Sequence, residues 1–141
     1  MQDVPSSLLK AGDVFTHPFS FSQDGVNQFA EVTGDTNPLH SDAEYAAKTI
    51  FKKPIMHGFL GGSIFSKVFG TMFPGEGTIY LRQNMQFMKP MYVDKNYEAV
   101  FTIKSVNPEK HKAIIETRIV EKDTKEVMID GEAEVMNRTK I

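Results

Sequence analysis

The 141-residue sequence contains no cysteine, which excludes disulfides, thiolate nucleophiles and thiolate metal ligands. It also contains no apolar run long enough to span a membrane. The nearest, residues 58–73, is too short and carries Lys67. The first residues lack a basic stretch followed by an apolar run, so we expect no signal peptide and a cytoplasmic protein without a membrane partner.

A strong charge of either sign is missing as well. Sixteen basic and 18 acidic residues give a formal net charge of −2 at pH 7, which argues against a nucleic-acid-binding surface. The sequence is 40% hydrophobic and 24% charged, a composition that can bury an ordinary core. The length and the absence of a linker or repeat predict a single domain over residues 1–141.

One polar segment carries most of the chemistry, and it reads Gly34-Asp35-Thr36-Asn37-Pro38-Leu39-His40. Before it, Ser22 can cap a helix with apolar residues at helical spacing, and Gly34 can end that helix in the left-handed conformation. The residue before a proline is restricted to extended geometry, so Asn37 should turn the chain sharply. We therefore expect Asp35 and His40 to point into one space.

Two further helices are predicted after this segment. Ser41-Asp42-Ala43-Glu44 has the capping-box pattern of a short helix that runs through residues 45–48. From His57 the pattern is apolar on nearly all sides, which is typical of a buried helix. Glycines 58, 61 and 62 each lower its intrinsic stability by about 1 kcal/mol relative to alanine. We expect them to permit close approach by another backbone or a ligand, and Pro74-Gly75 to end the helix.

The remaining segments predict strands. Residues 13–21 alternate loosely around Pro18, which indicates an edge or short strand. Alternating patterns predict longer strands at residues 78–87, 97–106, 112–120 and 126–136. Their hairpin-length spacings favour an antiparallel sheet. The predicted fold class is α+β, with a curved sheet around one buried helix.

Asp35 and His40 are the candidates for general acid–base catalysis, because an acid and an imidazole near one water can move its proton. The structural alternative is a helix-end aspartate followed by an Asn-Pro turn, and the hexapeptide alone favours it. Clustering with a glycine-rich helix start favours catalysis. There the unpaired N–H of Gly58 could face a substrate oxygen, although packing alone could also require the glycine.

The neighbouring residues have weaker signals. His57 either contacts the substrate or only orients the turn, and the spacing of Ser66 favours a buried hydroxyl bonded to its own helix. Asp35, His40 and His57 show no i, i+3 or i, i+4 ligand spacing, so we expect no metal. A serine hydrolase is disfavoured because the Gly-x-Ser-x-Gly elbow is absent.

Three motifs, in this order, resemble those of the MaoC-like (R)-specific enoyl-CoA hydratases: Asp35-Thr36-Asn37-Pro38-Leu39-His40, Pro54-Ile55-Met56-His57-Gly58 and Ser63-Ile64-Phe65-Ser66. Residues 77–81 and 131–135 are similar too, so the resemblance extends from about Phe15 to Met136. It implies a hot-dog fold, in which an antiparallel sheet wraps a long central helix, paired as a homodimer.

The resemblance also implies roles. Asp35 and His40 would form the catalytic pair, Gly58 would donate its N–H to the thioester oxygen, and Ser66 would support the site. The implied reaction adds water to a trans-2-enoyl-CoA to give an (R)-3-hydroxyacyl-CoA. The coenzyme A thioester is the substrate, and no cofactor is expected.

The sequence also gives expectations for the chain length of the substrate and for the residues that bind its phosphates. Phe65 and Phe69 lie on or beside the helix face of Gly58, so we expect a short pocket that prefers crotonyl-sized chains. The candidates for binding the CoA phosphates are Lys52, Lys53, Arg82 and Lys89. Three alternatives stay open: a 3-hydroxyacyl-ACP dehydratase, a thioesterase, which the Asn-Pro-Leu-His segment disfavours, and a non-catalytic acyl-thioester-binding module.

Overall fold

Five strands form one antiparallel sheet in the computed structural model, which describes residues 8–141. The strand order across the sheet is β1-β3-β4-β5-β2. The strands are β1 (Val14–Phe19), β2 (Ile79–Phe87), β3 (Tyr97–Asn107), β4 (Lys112–Glu121) and β5 (Val127–Met136). All five predicted strands are confirmed, and β1 is an edge strand as its proline indicated.

The helices are α1 (Gln23–Thr33), α2 (Ala43–Ala47) and α3 (Gly58–Thr71), with a 3₁₀ turn at Pro38–His40. Five apolar side chains of α3 belong to one core cluster with residues of the sheet: Leu60, Ile64, Phe65, Val68 and Phe69. Phe101 of β3 contacts Phe65 and Phe69 edge-on, with ring centroids 5.7 and 5.2 Å apart. The α+β class and the hot-dog arrangement of a sheet around a central helix are confirmed.

The ends of α1 agree with the sequence prediction, whereas the start of α2 does not. Ser22 Oγ accepts from the N–H of Gly25 at 3.1 Å, and Gly34 ends α1 with φ 78°. The cap of α2 is Asp42, whose Oδ1 accepts from the N–H of Tyr45 at 3.1 Å. The predicted capping box with Ser41 as cap is wrong, because the N–H of Ser41 closes the preceding 3₁₀ turn.

The glycines of α3 permit close approach, but the groups that approach are side chains. A Cβ on Gly61 would overlap Met91 Cε, and one on Gly62 would lie 2.8 Å from Met85 Sδ. On Gly58 it would lie 2.7 Å from the Phe87 ring. The groups next to these three glycines are two thioethers and a phenyl ring rather than another backbone, and the expected approach of a ligand stays a prediction.

Within residues 8–141, no helix is long and apolar enough to cross a membrane. The signal-peptide expectation concerns a stretch that lies largely outside the described residues. The single domain over 1–141 and the cytoplasmic location stay predictions.

Candidate active site

His40 closes the 3₁₀ turn, and neighbouring elements fix both its main chain and its ring. Asn37 Oδ1 starts the turn by accepting from the N–H of Leu39 at 3.1 Å. Gln23 of α1 donates its Nε2–H to the His40 carbonyl at 2.9 Å. His40 Nδ1 lies 2.9 Å from the carbonyl oxygen of Ile55. Since a carbonyl only accepts, Nδ1 carries the proton and the lone pair is on Nε2.

Asp35 lies opposite His40, just after the left-handed Gly34. Its main-chain N–H donates to Thr33 Oγ1 at 3.2 Å, and its side chain is 51% exposed. One carboxylate oxygen of Asp35 and one ring nitrogen each of His40 and His57 lie within 4.8 Å of one another. Two hydrogen bonds to one tetrahedral water place their outer atoms about 4.5 Å apart. The predicted convergence is confirmed, and the catalytic role stays a prediction.

His57 lies behind this pair rather than on a substrate surface. Its side chain is only 2% exposed, and Nε2 lies 3.1 Å from the Asp35 carbonyl oxygen. Its ring stacks on His40 with centroids 3.8 Å apart, and Phe29 of α1 covers it at 4.8 Å. The predicted substrate contact of His57 is wrong, because burial leaves it almost no accessible surface. The alternative, an orienting role, agrees with these contacts.

An apolar cavity of about 440 Å³ has His40 and Gly58 in its wall, whereas Asp35 does not line it and reaches it only across His40. The rest of the wall is mostly apolar, with contributions from Phe51, Ile55, Met56, Phe59, Phe87, Met88, Pro90, Met91 and Ile129. The helix α3 begins here without a side-chain cap. Within residues 8–141 no acceptor takes the N–H of Gly58 or Phe59. Two free donors and the positive end of a helix therefore adjoin the cavity.

Three residues predicted from the α3 pattern lie outside this cavity. Phe65 and Phe69 are buried in the core, at 0% and 1% exposure. They share the face of Gly58, but that face turns under the sheet after the first turn, so their predicted contact with the acyl chain is wrong. Ser66 is exposed, which corrects the expected buried hydroxyl. It lies outside the wall described above, and its supporting role stays a prediction.

The four basic candidates are dispersed. Lys89 lies in the cavity wall and pairs with Glu126 at 3.3 Å. Lys53 lies over the Tyr92 ring, with Nζ 4.6 Å from its centroid, and Lys52 is exposed nearby in the same loop. Arg82 contributes to a different groove along β2. The structure thus places Lys89 at the cavity and Arg82 away from it.

That groove lies between α1, α3 and β2, and its wall includes Phe29, Ser63, Tyr80 and Met85. Burial raises the pKa of Tyr80 to about 12, so its hydroxyl keeps its proton and donates to Gln83 Oε1. Ser63 Oγ donates to the carbonyl of Leu60 at 2.5 Å. Among the groove side chains, these two hydroxyls are therefore already hydrogen-bonded.

A metal site is the other arrangement to consider here, because the side chains of Asp35, His40 and His57 lie close enough together to bind one ion. The carbonyls of Asp35 and Ile55 already engage one nitrogen of each ring, and the stacked rings direct their remaining lone pairs along separate planes. A catalytic zinc site uses three converging protein ligands. The donor set therefore fits such a site poorly, and the expectation of no metal stays a prediction.

Several residues that build the site carried no sequence signal. Gln23 and Phe29 contact it from α1, and Phe87 contacts it from β2. The Ile55 contribution is a main-chain carbonyl, which any residue type supplies. Only the convergence of separate elements brings these groups together, so no local pattern could have indicated them.

Comparison with known proteins agrees with this geometry. Residues 9–127 match the MaoC like domain. The chain is 34% identical over 128 residues, 91% of its length and 88% of the relative's, to an (R)-specific enoyl-CoA hydratase of Rhodospirillum rubrum. It is 34% identical over 129 residues, 90% of its length and 76% of the relative's, to a mitochondrial 3-hydroxyacyl-[acyl-carrier-protein] dehydratase of Arabidopsis thaliana.

A solved structure is similar over almost the same range. The (R)-hydratase from A. caviae involved in PHA biosynthesis superposes with a TM-score of 0.87 at 35% identity, covering 92% of this chain and 97% of that one. The shared domain and the identity over most of both chains establish the relationship. The chain belongs to the MaoC-like family of hydratases and dehydratases.

Proposed function

We propose that this protein is an (R)-specific enoyl-CoA hydratase, which adds water reversibly to a trans-2-enoyl thioester. One observation carries the proposal: Asp35 converges on His40, and His40 lines an apolar cavity whose wall also contains the uncapped start of α3. This reaction requires two groups that transfer protons, space for an acyl chain and free N–H donors for the thioester oxygen.

In the proposed mechanism a water lies between the Asp35 carboxylate and His40 Nε2. The pair removes one proton as the water oxygen bonds to the β carbon, and a proton reaches the α carbon on the same face. Such acid–base assistance contributes about a hundredfold to ten-thousandfold. The product is the (R)-3-hydroxyacyl thioester, and all atoms of the water are retained in it.

The negative charge that develops on the thioester oxygen would be stabilised by the N–H of Gly58 and the start of α3. Loss of such a donor typically raises the barrier by about 3 kcal/mol. Packing against the Phe87 ring accounts for the glycine at position 58, because a Cβ there would lie 2.7 Å from that ring, and the proposed contact depends on its free N–H. No step requires a metal or a redox cofactor.

We further propose that the enzyme prefers short enoyl chains. The cavity of about 440 Å³ is in the lower part of the range of ligand pockets, about 300 to 1,000 Å³. Phe87, Met88 and Met91 add bulk to its wall. These residues replace Phe65 and Phe69 as the physical reason for the preference.

A homodimer is proposed from the free edge of the sheet. Strand β2 pairs with β5 on one side and ends the sheet on the other. Ile79 and Leu81 on it are 54% and 41% exposed. An unpaired apolar edge is a template for another strand, and a second copy would bring an identical edge.

The test is incubation with crotonyl-CoA, followed by the loss of the absorbance of the conjugated double bond and the chirality of the product. We expect the (R)-3-hydroxy product and no released thiol. Free thiol would indicate a thioesterase, and binding without turnover would indicate a non-catalytic module. Turnover only when the same acyl group is attached to an acyl carrier protein would indicate the carrier-protein dehydratase instead.

A further inference from the structure

His57 is a buried imidazole that has no direct part in the proposed chemistry, and it has an unusual hydrogen-bond state. Its Nδ1 is buried and has no partner within residues 8–141. Its Nε2 faces the Asp35 carbonyl oxygen at 3.1 Å. Because that oxygen only accepts, Nε2 carries the proton and Nδ1 carries a bare lone pair. A second proton on Nδ1 would meet no acceptor.

A buried acceptor without a donor destabilises a folded protein, so a histidine here requires a reason. Phenylalanine would fill the same space without that penalty, but it would lose the N–H that contacts the Asp35 main chain. Glutamine could keep that N–H, but it would lose the flat ring on which His40 stacks at 3.8 Å with an interplanar angle of 28°. Histidine provides both contacts at once.

These two contacts act on the two residues of the proposed catalytic pair. The N–H of His57 holds the main chain of Asp35, and its ring supports one face of the His40 imidazole, whose Nδ1 is held by the Ile55 carbonyl. Phe29 of α1 covers the His57 ring at 4.8 Å. The His57 ring is therefore fixed from the core side, independently of any substrate.

We propose that His57 is a positioning residue: it sets the separation of Asp35 and His40 by binding the main chain of one and stacking on the ring of the other. The inference rests on the proposed function for its kinetic consequence, whereas the structural relation among the three residues is independent of it. A misplacement of about 1 Å at a catalytic pair can lower a rate by about a hundredfold.

Two variants separate the two contacts. His57→Phe keeps the ring and removes the N–H, and His57→Gln keeps an N–H and removes the ring. For each we expect kcat on crotonyl-CoA to fall about tenfold to a hundredfold. KM should change by less than about threefold, because His57 is absent from the cavity wall. The matched control is His111→Gln, which alters another imidazole whose Nδ1 contacts a main-chain carbonyl, Ile141 O at 2.7 Å, outside the site.

The second measurement requires no activity. Nitrogen-15 NMR of the imidazoles in the wild-type protein should show His40 protonated on Nδ1 and His57 on Nε2. The His40 ring protons should shift in His57→Gln, because the stacked ring current is lost, and should shift less in His57→Phe. The proposal would be overturned if His57 were protonated on Nδ1 instead of Nε2. It would also be overturned if the chemical shifts of His40 were unchanged in both variants.

An unchanged kcat in both folded variants, or a rise in KM alone, would also overturn it. Failure of the wild type to hydrate crotonyl-CoA would refute the proposed function, while the NMR result would still decide the role of His57. If one variant does not fold, the kcat and the His40 ring-proton shifts of the other variant decide the question.

Discussion

At the scale of single residues, the site depends on a few short-range hydrogen bonds. Gly34 reverses the chain after α1, and Asn37 starts the turn that ends at His40. The left-handed glycine and the Asn-Pro pair are visible in the sequence, so the convergence of Asp35 and His40 could be predicted. The support from Gln23 and from the Ile55 carbonyl could not, since neither has a pattern that marks its partner.

The first prediction concerns Asp35 itself. Asp35→Asn removes the proposed base but keeps the shape of the side chain, so we expect kcat for crotonyl-CoA to fall about a hundredfold to ten-thousandfold. The side chain is half exposed and its oxygen lies 4.0 Å from His57 Nε2, so the unfolding free energy should change by less than about 0.5 kcal/mol. Steady-state kinetics and urea unfolding measure the two effects.

The control for this variant is Asp24→Asn. Asp24 is an exposed acid in the first turn of α1, where it accepts from Gln28 Nε2 at 3.3 Å, and the same chemical change there should leave kcat intact. An Asp35→Asn enzyme with near wild-type kcat would refute the assignment of the catalytic pair.

At the scale of secondary-structure elements, the strands were predictable because alternation is a local property. The start of α2 was misplaced by one residue, because Ser41 and Asp42 are both good caps and the preceding turn uses Ser41. The sequence predicted helix α3, and its glycines predicted that other groups pack closely against it. Which groups approach depends on β2 and on the loop that holds Met91, so the local sequence could not identify the two methionines.

The second prediction compares two glycines within α3. Gly61→Ala places a methyl group on Met91 Cε and close to Ile129 Cδ1, in a well-packed part of the core. Overpacking of this kind costs about 1–3 kcal/mol, against a gain of about 1 kcal/mol in helix propensity. Met91 is 3% exposed and belongs to the core cluster together with Ile129, so we expect a net loss of stability in urea unfolding.

Gly70→Ala is the matched control, because a Cβ there would meet nothing within 4 Å. The same change should stabilise the protein by up to about 1 kcal/mol through helix propensity alone. Equal stability of the two variants would mean that Met91 repacks without cost.

At the scale of the whole molecule, Phe65 and Phe69 show that helical spacing predicts which residues share a face of α3 but not which part of that face adjoins the cavity. Both residues share a helix face with Gly58, as the spacing indicated, but only the first turn of that face adjoins the cavity. The rest packs against β3. The five strands together determine the point along α3 at which the sheet stops covering the helix. Helical periodicity carries no information about that point.

The third prediction follows from the cavity that the whole fold leaves open. On a series of trans-2-enoyl-CoA substrates, kcat/KM should be highest for crotonyl-CoA and should fall as the chain lengthens, because Phe87, Met88 and Met91 occupy the wall. Replacing the half-exposed Phe87 by alanine should lessen the fall for longer chains. Faster turnover of long chains by the wild type would contradict the short-chain proposal.

The fourth prediction concerns assembly, to which β2 contributes the free edge. A chain of 15.9 kDa should have twice that mass in light scattering at micromolar concentration, because pairing of two β2 edges would bury their exposed apolar side chains. Leu81→Glu should weaken the dimer, since two-fold symmetry would bring both buried carboxylates into one interface. Val32→Glu is the control: Val32 is 82% exposed but lies on α1, and the change should leave the mass doubled. A wild type that stays monomeric, or equal dissociation by both variants, would show that the free β2 edge is not the dimer interface.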